Sequence, residues 1–288
     1  MRQLNWDLKQ LEREAKDGSR GKRRDRSYSL ALSANTLHDL GFKGLRARGL
    51  KEKHVAALVG EWNRQGLSTG TMANRMAHLR WWAQKVGKPG VVRPSNASYG
   101  IVKDSGVARE DRSQPLDPEK LAKVTDEHVR MSLRLQDAFG LRREEAMKFQ
   151  PRYADRGHRI VLKASWCKGG RTRWIPVLTD AQRKVLDEAR RLVGSGSLIP
   201  EERNYRRQLR IYERQVAEAG MARMHSLRHG YAIRRYEHLT GWKAPVRGGP
   251  SRRDLEDEHQ KDADQRARLM ISRELGHGRP AVTAQYVG

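Results

Sequence analysis

Apolar residues recur three and four positions apart along most of this chain, which is the spacing that predicts amphipathic helices. Residues 27–105 hold three such segments, TLHDLGFKGL, KEKHVAALVGEWNRQG and STGTMANRMAHLRWWAQKVGK. Ser68 or Thr69 can cap the last of these helices, because their hydroxyl groups accept hydrogen bonds from amides of the first turn. Further along, the helical pattern resumes in LDPEKLAKV, with Asp117 as the cap and Pro118 in the first position.

One stretch departs from the helical pattern and predicts a β-hairpin. In HRIVLKASWCKGGRTRWIPVL, two β-rich runs flank CKGG, whose adjacent glycines suit a tight reversal. Helical segments follow it, and two of them, NYRRQLRIYERQVAEAG and HSLRHGYAIRRYEHLTG, end at a glycine. The predicted fold class is therefore mainly α with a small antiparallel β-hairpin, an α+β protein.

Changes in composition divide the chain into an arm and two domains. Residues 1–26 end in GSRGKRRDR and predict a basic, flexible N-terminal arm, and residues 27–105 form a helical domain. The stretch GKPGVVRPSNASYGIVKDSGVAREDRSQPLDPEK has no period and is rich in Pro, Gly, Ser and Asp, which is typical of a linker. We place the domain boundary near 105–115 and assign residues 106–288 to the second domain. A chain of 288 residues is long enough for two cores of ordinary size.

Charge is the strongest signal in the composition. The chain has 59 Lys and Arg against 34 Asp and Glu, a net charge of +25. Lys and Arg also outnumber Asp and Glu within residues 27–105, which suits one arm of a clamp on DNA as well as a solvated helix face. An excess of this size predicts a polyanionic partner, with DNA the first candidate and RNA or the ribosome as alternatives.

Several classes of protein are excluded by the same composition. No run of 18 apolar residues occurs, so no segment is predicted to span a membrane. The N-terminus has no apolar signal region, which predicts a cytoplasmic, nucleoid-associated protein. Cys167 is the single cysteine, which leaves neither a disulfide framework nor a cysteine-based zinc site.

Three short motifs carry candidate chemistry. HSLRHG places His225 and Arg228 three positions apart on one face of a helix, where they can hold a single phosphate. GLRREEAMKF places Arg142 just after a glycine and a leucine. CKGGRTR places Lys168 at the predicted hairpin tip, from which a long side chain can reach into a groove. Each motif taken alone is compatible with an ordinary charged surface.

Taken together and in order, these motifs resemble those of the tyrosine recombinase (phage integrase) family. FGLRREE is similar to the family's first box, with Phe139 in place of a threonine. CKGGRTRWIPV matches the hairpin box, including Arg173 and Pro176, and HSLRH and LGHGRPAVTAQY match the two remaining boxes. The resemblance covers residues 115–288 closely, and residues 27–105 look less specifically like the family's core-binding domain. It implies a helical N-terminal core-binding domain followed by a tyrosine-recombinase catalytic domain.

The resemblance implies an active site that breaks and rejoins DNA strands. Its residues are Arg142, Lys168, His225, Arg228, His277 and Tyr286. Tyr286 attacks a phosphodiester to give a 3′-phosphotyrosyl link and a free 5′ hydroxyl, which keeps the energy of the broken bond for rejoining. The two arginines match the charge on the non-bridging oxygens, the two histidines handle protons, and Lys168 protonates the departing oxygen. No cofactor or metal is required, because fixed positive charge already acts on the phosphate and the sequence lacks a carboxylate cluster.

The implied function is site-specific recombination, the integration or excision of a mobile element, by a homotetramer on two double-stranded DNA sites. Two alternatives stay open. One is a catalytically inactive DNA-binding protein of the same fold, and the other is a relaxase-like enzyme that uses the same chemistry without a partner site. All six site residues are present, which argues against the first alternative.

Two features depart from the family pattern. The interval between His225 and Tyr286 is longer than the family's usual one, and the excess lies in TGWKAPVRGGPSRRDLEDEHQKDAD, residues 240–264. We interpret this segment as a solvated loop in preference to a contact with DNA or with a neighbouring protomer. Only Val287 and Gly288 follow the tyrosine. Either the chain is truncated there or its assembly uses contacts other than a C-terminal tail.

Overall fold

The computed structural model describes residues 2–102 and 106–288, and the chain divides into two compact units, Met1–Ser105 and Gly106–Gly288. The predicted linker runs through residues 103–105, which lie outside the described residues. Among the described residues, buried apolar side chains form one cluster in the first unit and two in the second.

The described residues of the first unit form four helices around two buried tryptophans. They are α1 (Gln3–Glu14), α2 (Arg20–Asp39), α3 (Glu52–Arg64) and α4 (Thr69–Lys85). Trp62 on α3 and Trp82 on α4 are almost wholly buried, which removes large apolar surfaces from water. Ser68 caps α4 by accepting a hydrogen bond from the amide of Thr71 at 3.3 Å, and this confirms the predicted start of the helix.

The structure corrects the prediction of a flexible arm over residues 1–26. Helix α1 lies within this segment, and Leu4 and Leu8 bury one of its faces in the core of the first unit. Asp7 on the same helix accepts two hydrogen bonds from the guanidinium of Arg46, at 2.8 and 3.0 Å, and the pairing lowers the pKa of Asp7 to about 2. The high charge of the segment conceals a spacing of four between its leucines, which is a helical spacing.

The second unit is also mainly helical. Its described helices are α5 (Pro118–Ala122), α6 (Glu127–Phe139), α7 (Arg143–Met147), α8 (Pro151–Ala154), α9 (Asp180–Val193), α10 (Tyr205–Glu218), α11 (His225–Thr240), α12 (Glu258–Glu274) and α13 (Ala284–Val287). Asp117 caps α5 and Pro118 is its first residue, as predicted. Phe139, Phe149 and Tyr236 are among the fully buried side chains of the core to which α6, α9, α11 and α12 contribute. Of all the helices in the described ranges, none is long and apolar enough to cross a membrane.

Two strands in the described residues form the predicted antiparallel hairpin. Strand β1 (Arg159–Leu162) pairs with β2 (Arg173–Pro176) along the full length of both strands. The reversal is wider than predicted, because residues 163–172 lie between the strands and include a 3₁₀ turn. Within them the amide of Gly170 donates to the carbonyl of Cys167 at 3.0 Å, so the CKGG stretch does form a tight turn. The predicted fold class, mainly α with a small antiparallel sheet, is confirmed.

The interpretation of residues 240–264 as a solvated loop holds only for part of the segment, in which residues 252–254 and 256–260 are exposed. Ala244 and Leu255 are buried, and the indole nitrogen of Trp242 donates to the hydroxyl of Tyr236 at 3.3 Å. The end of the segment forms the first turns of α12. Its Gly- and Pro-rich part therefore has little regular structure but packs on the core of the second unit.

Candidate active site

The C-terminal helix α13 carries Tyr286 into a cluster of guanidinium and imidazole groups. Tyr286 is 6 % exposed, and its hydroxyl oxygen lies 3.4 Å from Nε of Arg228 and 3.3 Å from Nε2 of His277. The ring of His277 stacks on the tyrosine ring, with centroids 5.3 Å apart. The tyrosine hydroxyl, a guanidinium and an imidazole therefore lie within hydrogen-bonding distance of one another.

Local turns in the last fifteen residues of the sequence bring His277 and Tyr286 together. Helix α12 ends just before Gly276, whose φ of +65° is a left-handed conformation that favours glycine. The amide of His277 donates back to the carbonyl of Ser272 at 2.9 Å, which closes the end of the helix. A 3₁₀ turn over Pro280–Thr283 then leads directly into α13. The residues between the histidine and the tyrosine thus form a short return that places the two rings face to face.

Arg228 on α11 is a buried cation at the centre of the cluster. It is 1 % exposed, and it donates to the carbonyl of Gly140 at 2.5 Å and to the carbonyl of Leu275. No carboxylate in the described part of the chain forms an ion pair with it. Burial, and then the charge of Arg142, lowers the pKa of Arg228 to about 10, so the group stays charged at neutral pH. A buried cation without an anion is unfavourable in the free protein and becomes favourable when an anion enters.

Glu145 holds two arginines at the edge of the cluster. Its carboxylate accepts two hydrogen bonds from Arg173, at 2.7 and 2.8 Å, and one from Nη1 of Arg142 at 2.9 Å. Burial alone would raise the pKa of Glu145, but the hydrogen bonds and charge of Arg173, followed by the charge of Arg142, lower it to about 2. Arg173 is buried, whereas the side chain of Arg142 is 23 % exposed. Arg142 is therefore the member of the pair with surface available to a ligand.

The imidazoles of the cluster are neutral at physiological pH. Burial, and then the charges of Arg228 and Arg142, lowers the pKa of His277 to about 3. The same causes lower the pKa of His225, the first residue of α11, although part of that residue is exposed to solvent. A neutral imidazole donates one hydrogen bond and accepts another, so these side chains can pass a proton without adding charge to the free site.

His229 also belongs to the cluster, although the sequence motifs did not lead us to predict it. Its ring centroid lies 4.5 Å from that of Tyr286 and 5.6 Å from that of His225. Burial, followed by the charge of His225, lowers the pKa of His229 to about 4. The signal was present, because a residue four positions after His225 shares its helix face. The pairing of Glu145 with Arg173 had no such signal, since the two residues lie on distant segments.

Lys168 lies beside the cluster, on a cavity that one of its members also lines. The residue is exposed on the turn that follows Cys167, and it lines an open cavity of about 590 Å³. His277 and Arg173 line the same cavity, so the lysine shares an opening with the site. The structure thus brings together Arg142, His225, Arg228, His277 and Tyr286. It does not bring Lys168 into contact with them, but places it on a cavity that His277 also lines.

Cations and imidazoles dominate the site, and carboxylates are scarce. Within residues 2–102 and 106–288, no group of three His, Cys, Asp or Glu side chains is arranged to hold a metal ion. Glu145 is already paired with two arginines, which leaves Arg228 to meet an incoming anion. The chemistry that this arrangement suits is attack by the Tyr286 hydroxyl on an anionic group bound between guanidiniums.

Gly140 ends α6 in a left-handed conformation and supports the site directly. Its φ is +59°, and an added Cβ would lie 2.7 Å from Cδ1 of Tyr231. Gly140→Ala is expected to lower the free energy of unfolding by about 2–4 kcal/mol, because backbone strain and overpacking add. Urea-induced unfolding of the full chain measures this loss.

Gly241→Ala is the matched control for that substitution. Gly241 ends α11 with a φ of +81°, but nothing lies within 4 Å of an added Cβ. This variant carries the backbone strain alone and should lose about 1–2 kcal/mol. Equal losses in the two variants would contradict the role assigned to the contact with Tyr231.

Two family models match the chain and together cover most of it. Residues 1–92 match the model described as "Phage integrase, N-terminal", and residues 107–234 match the model described as "Integrase". A helical N-terminal domain, then a small sheet and a cluster of arginine, histidine and tyrosine, is the plan of the tyrosine recombinases. The chain belongs to the phage integrase family of tyrosine recombinases. A comparison with curated protein sequences gives no match.

Several solved structures share the fold. The Tn1549 transposon integrase in complex with circular intermediate DNA is 12 % identical, over 100 % of this chain and 96 % of its own, with a TM-score of 0.60. A lambda integrase dimer bound to a core site is 16 % identical, over 99 % of this chain and 95 % of its own, with a TM-score of 0.61. The XerH recombinase bound to its difH substrate is 16 % identical, over 99 % of this chain and 81 % of its own, with a TM-score of 0.56. At these identities the similarity establishes the fold alone.

Proposed function

We propose that this protein is a site-specific DNA recombinase that cleaves and rejoins DNA through a 3′-phosphotyrosyl intermediate, in the integration or excision of a mobile element. The observation that carries the proposal is the position of the Tyr286 hydroxyl, 3.4 Å from Nε of Arg228 and 3.3 Å from Nε2 of His277. A phosphate bound by Arg228 would stand next to a hydroxyl that can attack it.

In the cleavage step the oxygen of Tyr286 attacks the phosphorus of a backbone phosphodiester. A bond forms between the tyrosine oxygen and phosphorus while the bond from phosphorus to the 5′ oxygen breaks, so the number of phosphoester bonds is conserved. The phenolic proton passes to the imidazoles, of which His277 is within hydrogen-bonding reach, and Lys168 gives a proton to the departing 5′ oxygen. Attack by the 5′ hydroxyl of another strand reverses the step, rejoins the DNA and frees the tyrosine.

The low pKa of His277 in the free protein is compatible with this role. After burial, the charges of Arg228, Arg142 and Arg173 depress it. A bound phosphate places negative charge beside the imidazole of His277 and so raises its pKa. Proton transfer thereby depends on an occupied site, and the empty site holds no strong base beside the tyrosine.

Arg142 and Arg228 are the residues that we assign to the non-bridging oxygens. Arg228 has no carboxylate partner in the described residues, and Arg142 shares its single partner, Glu145, with Arg173. The charge around a bound phosphate therefore stays positive. Guanidiniums held in place before the reaction stabilise the charge of the transition state without reorganisation.

Double-stranded DNA is the proposed partner, and a homotetramer on two DNA sites is the proposed assembly. The net charge of +25 supports a polyanionic partner. Among structures of similar fold, the Tn1549 integrase is in complex with circular intermediate DNA, and a lambda integrase tetramer is bound to a Holliday junction. Because helix α1 packs in the core of the first unit, we assign the whole of that unit, residues 1–105, to a core-binding domain and residues 106–288 to the catalytic domain. The proposed place of action is the nucleoid, in the cytoplasm.

Binding of duplex DNA is expected to weaken steeply as salt rises. Each phosphate that the protein neutralises releases counterions, and about six or more contacts at roughly 0.9 per contact give a slope of log affinity against log salt near −5 or steeper. Fluorescence anisotropy of a labelled duplex over a series of KCl concentrations measures the slope. A flat response would contradict the electrostatic basis of the DNA assignment.

The proposed function is tested by covalent capture of DNA from the genome that encodes the protein. Sheared genomic DNA is incubated with the full chain and denatured in SDS, and the fragments that remain attached to protein are sequenced. Enrichment of one site is the expected result. Binding without any covalent link would favour the inactive DNA-binding alternative. Relaxation of a supercoiled plasmid that lacks the enriched site would favour the relaxase-like alternative.

A further inference from the structure

Helix α13 is too short to fix the position of Tyr286 by itself. It comprises Ala284–Val287, whereas isolated helices shorter than about 12 residues are marginal even in favourable sequences. Its position is therefore set by contacts from outside the helix. Residues 106–113, the 3₁₀ turn Pro245–Arg247 and helix α12 provide such contacts.

The segment that opens the second unit holds the start of α13. The amide of Ala108 donates to the carbonyl of Ala284 at 2.8 Å, and Ala108 is buried. The side chain of Gln285 packs beside Gly106. The hydrogen bond joins two backbones, so it depends on the path of residues 106–113 and not on a particular side chain.

Helix α12 and residues 241–257 hold the end of α13. Nη1 of Arg268 on α12 donates to the carbonyl of Gly288 at 2.6 Å. A Cβ at Gly288 would lie 2.9 Å from Cβ of Pro245 and 3.2 Å from the amide nitrogen of Val246. The residues that follow the tyrosine therefore pack directly on the 3₁₀ turn.

Arg247 links the segment that contacts the start of α13 to the 3₁₀ turn that contacts its end. Its Nε donates to the carboxylate of Asp111 at 2.8 Å, and its Nη2 donates to the hydroxyl of Ser113 at 3.2 Å. Its Nη1 donates to Glu237 at 3.3 Å, on the helix that also carries Arg228. One guanidinium thus fastens the segment at the start of α13 to the turn at its end and to α11.

We propose that Arg247 is a positioning residue for Tyr286, which gives residues 241–257 a part in catalysis. The inference rests on the proposed function only where it concerns the rate of cleavage. Arg247 has no described contact with Tyr286 or Arg228, so its loss removes no reacting group but loosens the helix that presents the nucleophile. The effect should fall on the rate of cleavage and not on DNA affinity.

Arg247→Ala tests the proposal, with Arg252→Ala as the matched control. Both substitutions remove one positive charge from the same segment, but the described hydrogen bond of Arg252 goes to Gln265, at 3.3 Å, and not toward α13. The first measurement is hydrogen–deuterium exchange of residues 280–288 in the full chain without DNA. Exchange should become faster in Arg247→Ala and stay unchanged in Arg252→Ala. Unchanged exchange in both variants overturns the proposal.

The second measurement is single-turnover cleavage of the duplex that covalent capture identifies. Arg247→Ala should cleave about 10- to 100-fold more slowly than Arg252→Ala at saturating DNA, because a small misplacement of a nucleophile has an effect of this size. The dissociation constants of the two variants should agree. Faster exchange with an unchanged cleavage rate would show that Arg247 orders the end of the chain without positioning Tyr286.

Two further variants separate a positioning role from a general loss of folding. One is conservative at Arg247, and the other disturbs the same helix at a different contact. Arg247→Lys keeps the charge and one contact with Asp111, and it should recover part of the cleavage rate. Ala108→Pro removes the amide that bonds to Ala284 without touching Arg247, and it should reproduce the slow cleavage and the fast exchange. Normal exchange in Ala108→Pro would overturn the assigned role of the segment. If the wild-type chain forms no covalent link, the proposed function fails, and the exchange measurements still decide whether Arg247 holds α13.

Discussion

Tyr286→Phe should bind DNA as tightly as the wild-type chain and form no covalent link to it. The substitution removes one oxygen and keeps the ring, whose centroid lies 5.3 Å from that of His277 and 4.5 Å from that of His229. Packing is therefore preserved, and a lost link implicates the hydroxyl. A duplex nicked beside the cleavage site traps the covalent product, which a denaturing gel separates from free DNA. The wild-type reaction should persist in excess chelator.

Tyr231→Phe is the matched control, since it also removes one buried hydroxyl in the second unit. That hydroxyl donates to Oε2 of Glu274 at 2.7 Å, and burial raises the pKa of Tyr231 well above its usual value. Such a group is structural and a poor nucleophile. Tyr231→Phe should still form the covalent link. A link that persists in Tyr286→Phe would show that the nucleophile is a residue other than Tyr286.

Lys168→Ala should slow cleavage by about 10²- to 10⁴-fold, the usual effect of removing a positioned proton donor. The lysine is exposed, so its truncation disturbs no core packing. The loss should depend on the leaving group. An alkoxide needs a proton as it departs, whereas a thiolate, whose conjugate acid has a pKa of about 8.5, does not. Cleavage of a duplex with sulfur in place of the 5′ bridging oxygen should therefore be restored in this variant.

Arg142→Ala is the control for that rescue. Arg142 is assigned to the non-bridging oxygens, where charge builds whichever atom departs, so sulfur should leave this variant impaired. Equal rescue of both variants would show that sulfur merely weakens the bond that breaks. Failure to rescue Lys168→Ala would mean that the lysine binds phosphate or orders residues 163–172. His225 would then become the first candidate for the proton donor.

The helices, the hairpin and the motif residues were predictable because each depends on local spacing. Asp117 and Ser68 cap their helices where the sequence predicts caps, and this agreement needs only short-range hydrogen bonds. The charge of residues 1–26 misled us, because composition outweighed the spacing of Leu4 and Leu8. A helical period is the better guide in a protein whose surface is basic throughout.

The long-range parts of the site could not be predicted from the sequence. The pairing of Glu145 with Arg173 and the bond between Ala108 and Ala284 join segments that no local pattern relates. Residues 241–257 have the composition of a loop, and only packing against the rest of the unit shows that they are ordered. The candidate site residues were therefore visible in the sequence, whereas the contacts that place them were not.

The buried guanidinium of Arg228 lowers the stability of the fold but serves the proposed reaction, so selection for stability and selection for activity oppose each other at this position. A buried charge with no carboxylate partner in the described residues lowers the stability of the free protein. An apolar side chain of similar size in the same space would give a higher free energy of unfolding. Retention of the arginine is therefore expected only where an anionic substrate must be bound. In a lineage that no longer binds a phosphate at this position, drift toward a more stable, inert protein should first become visible here.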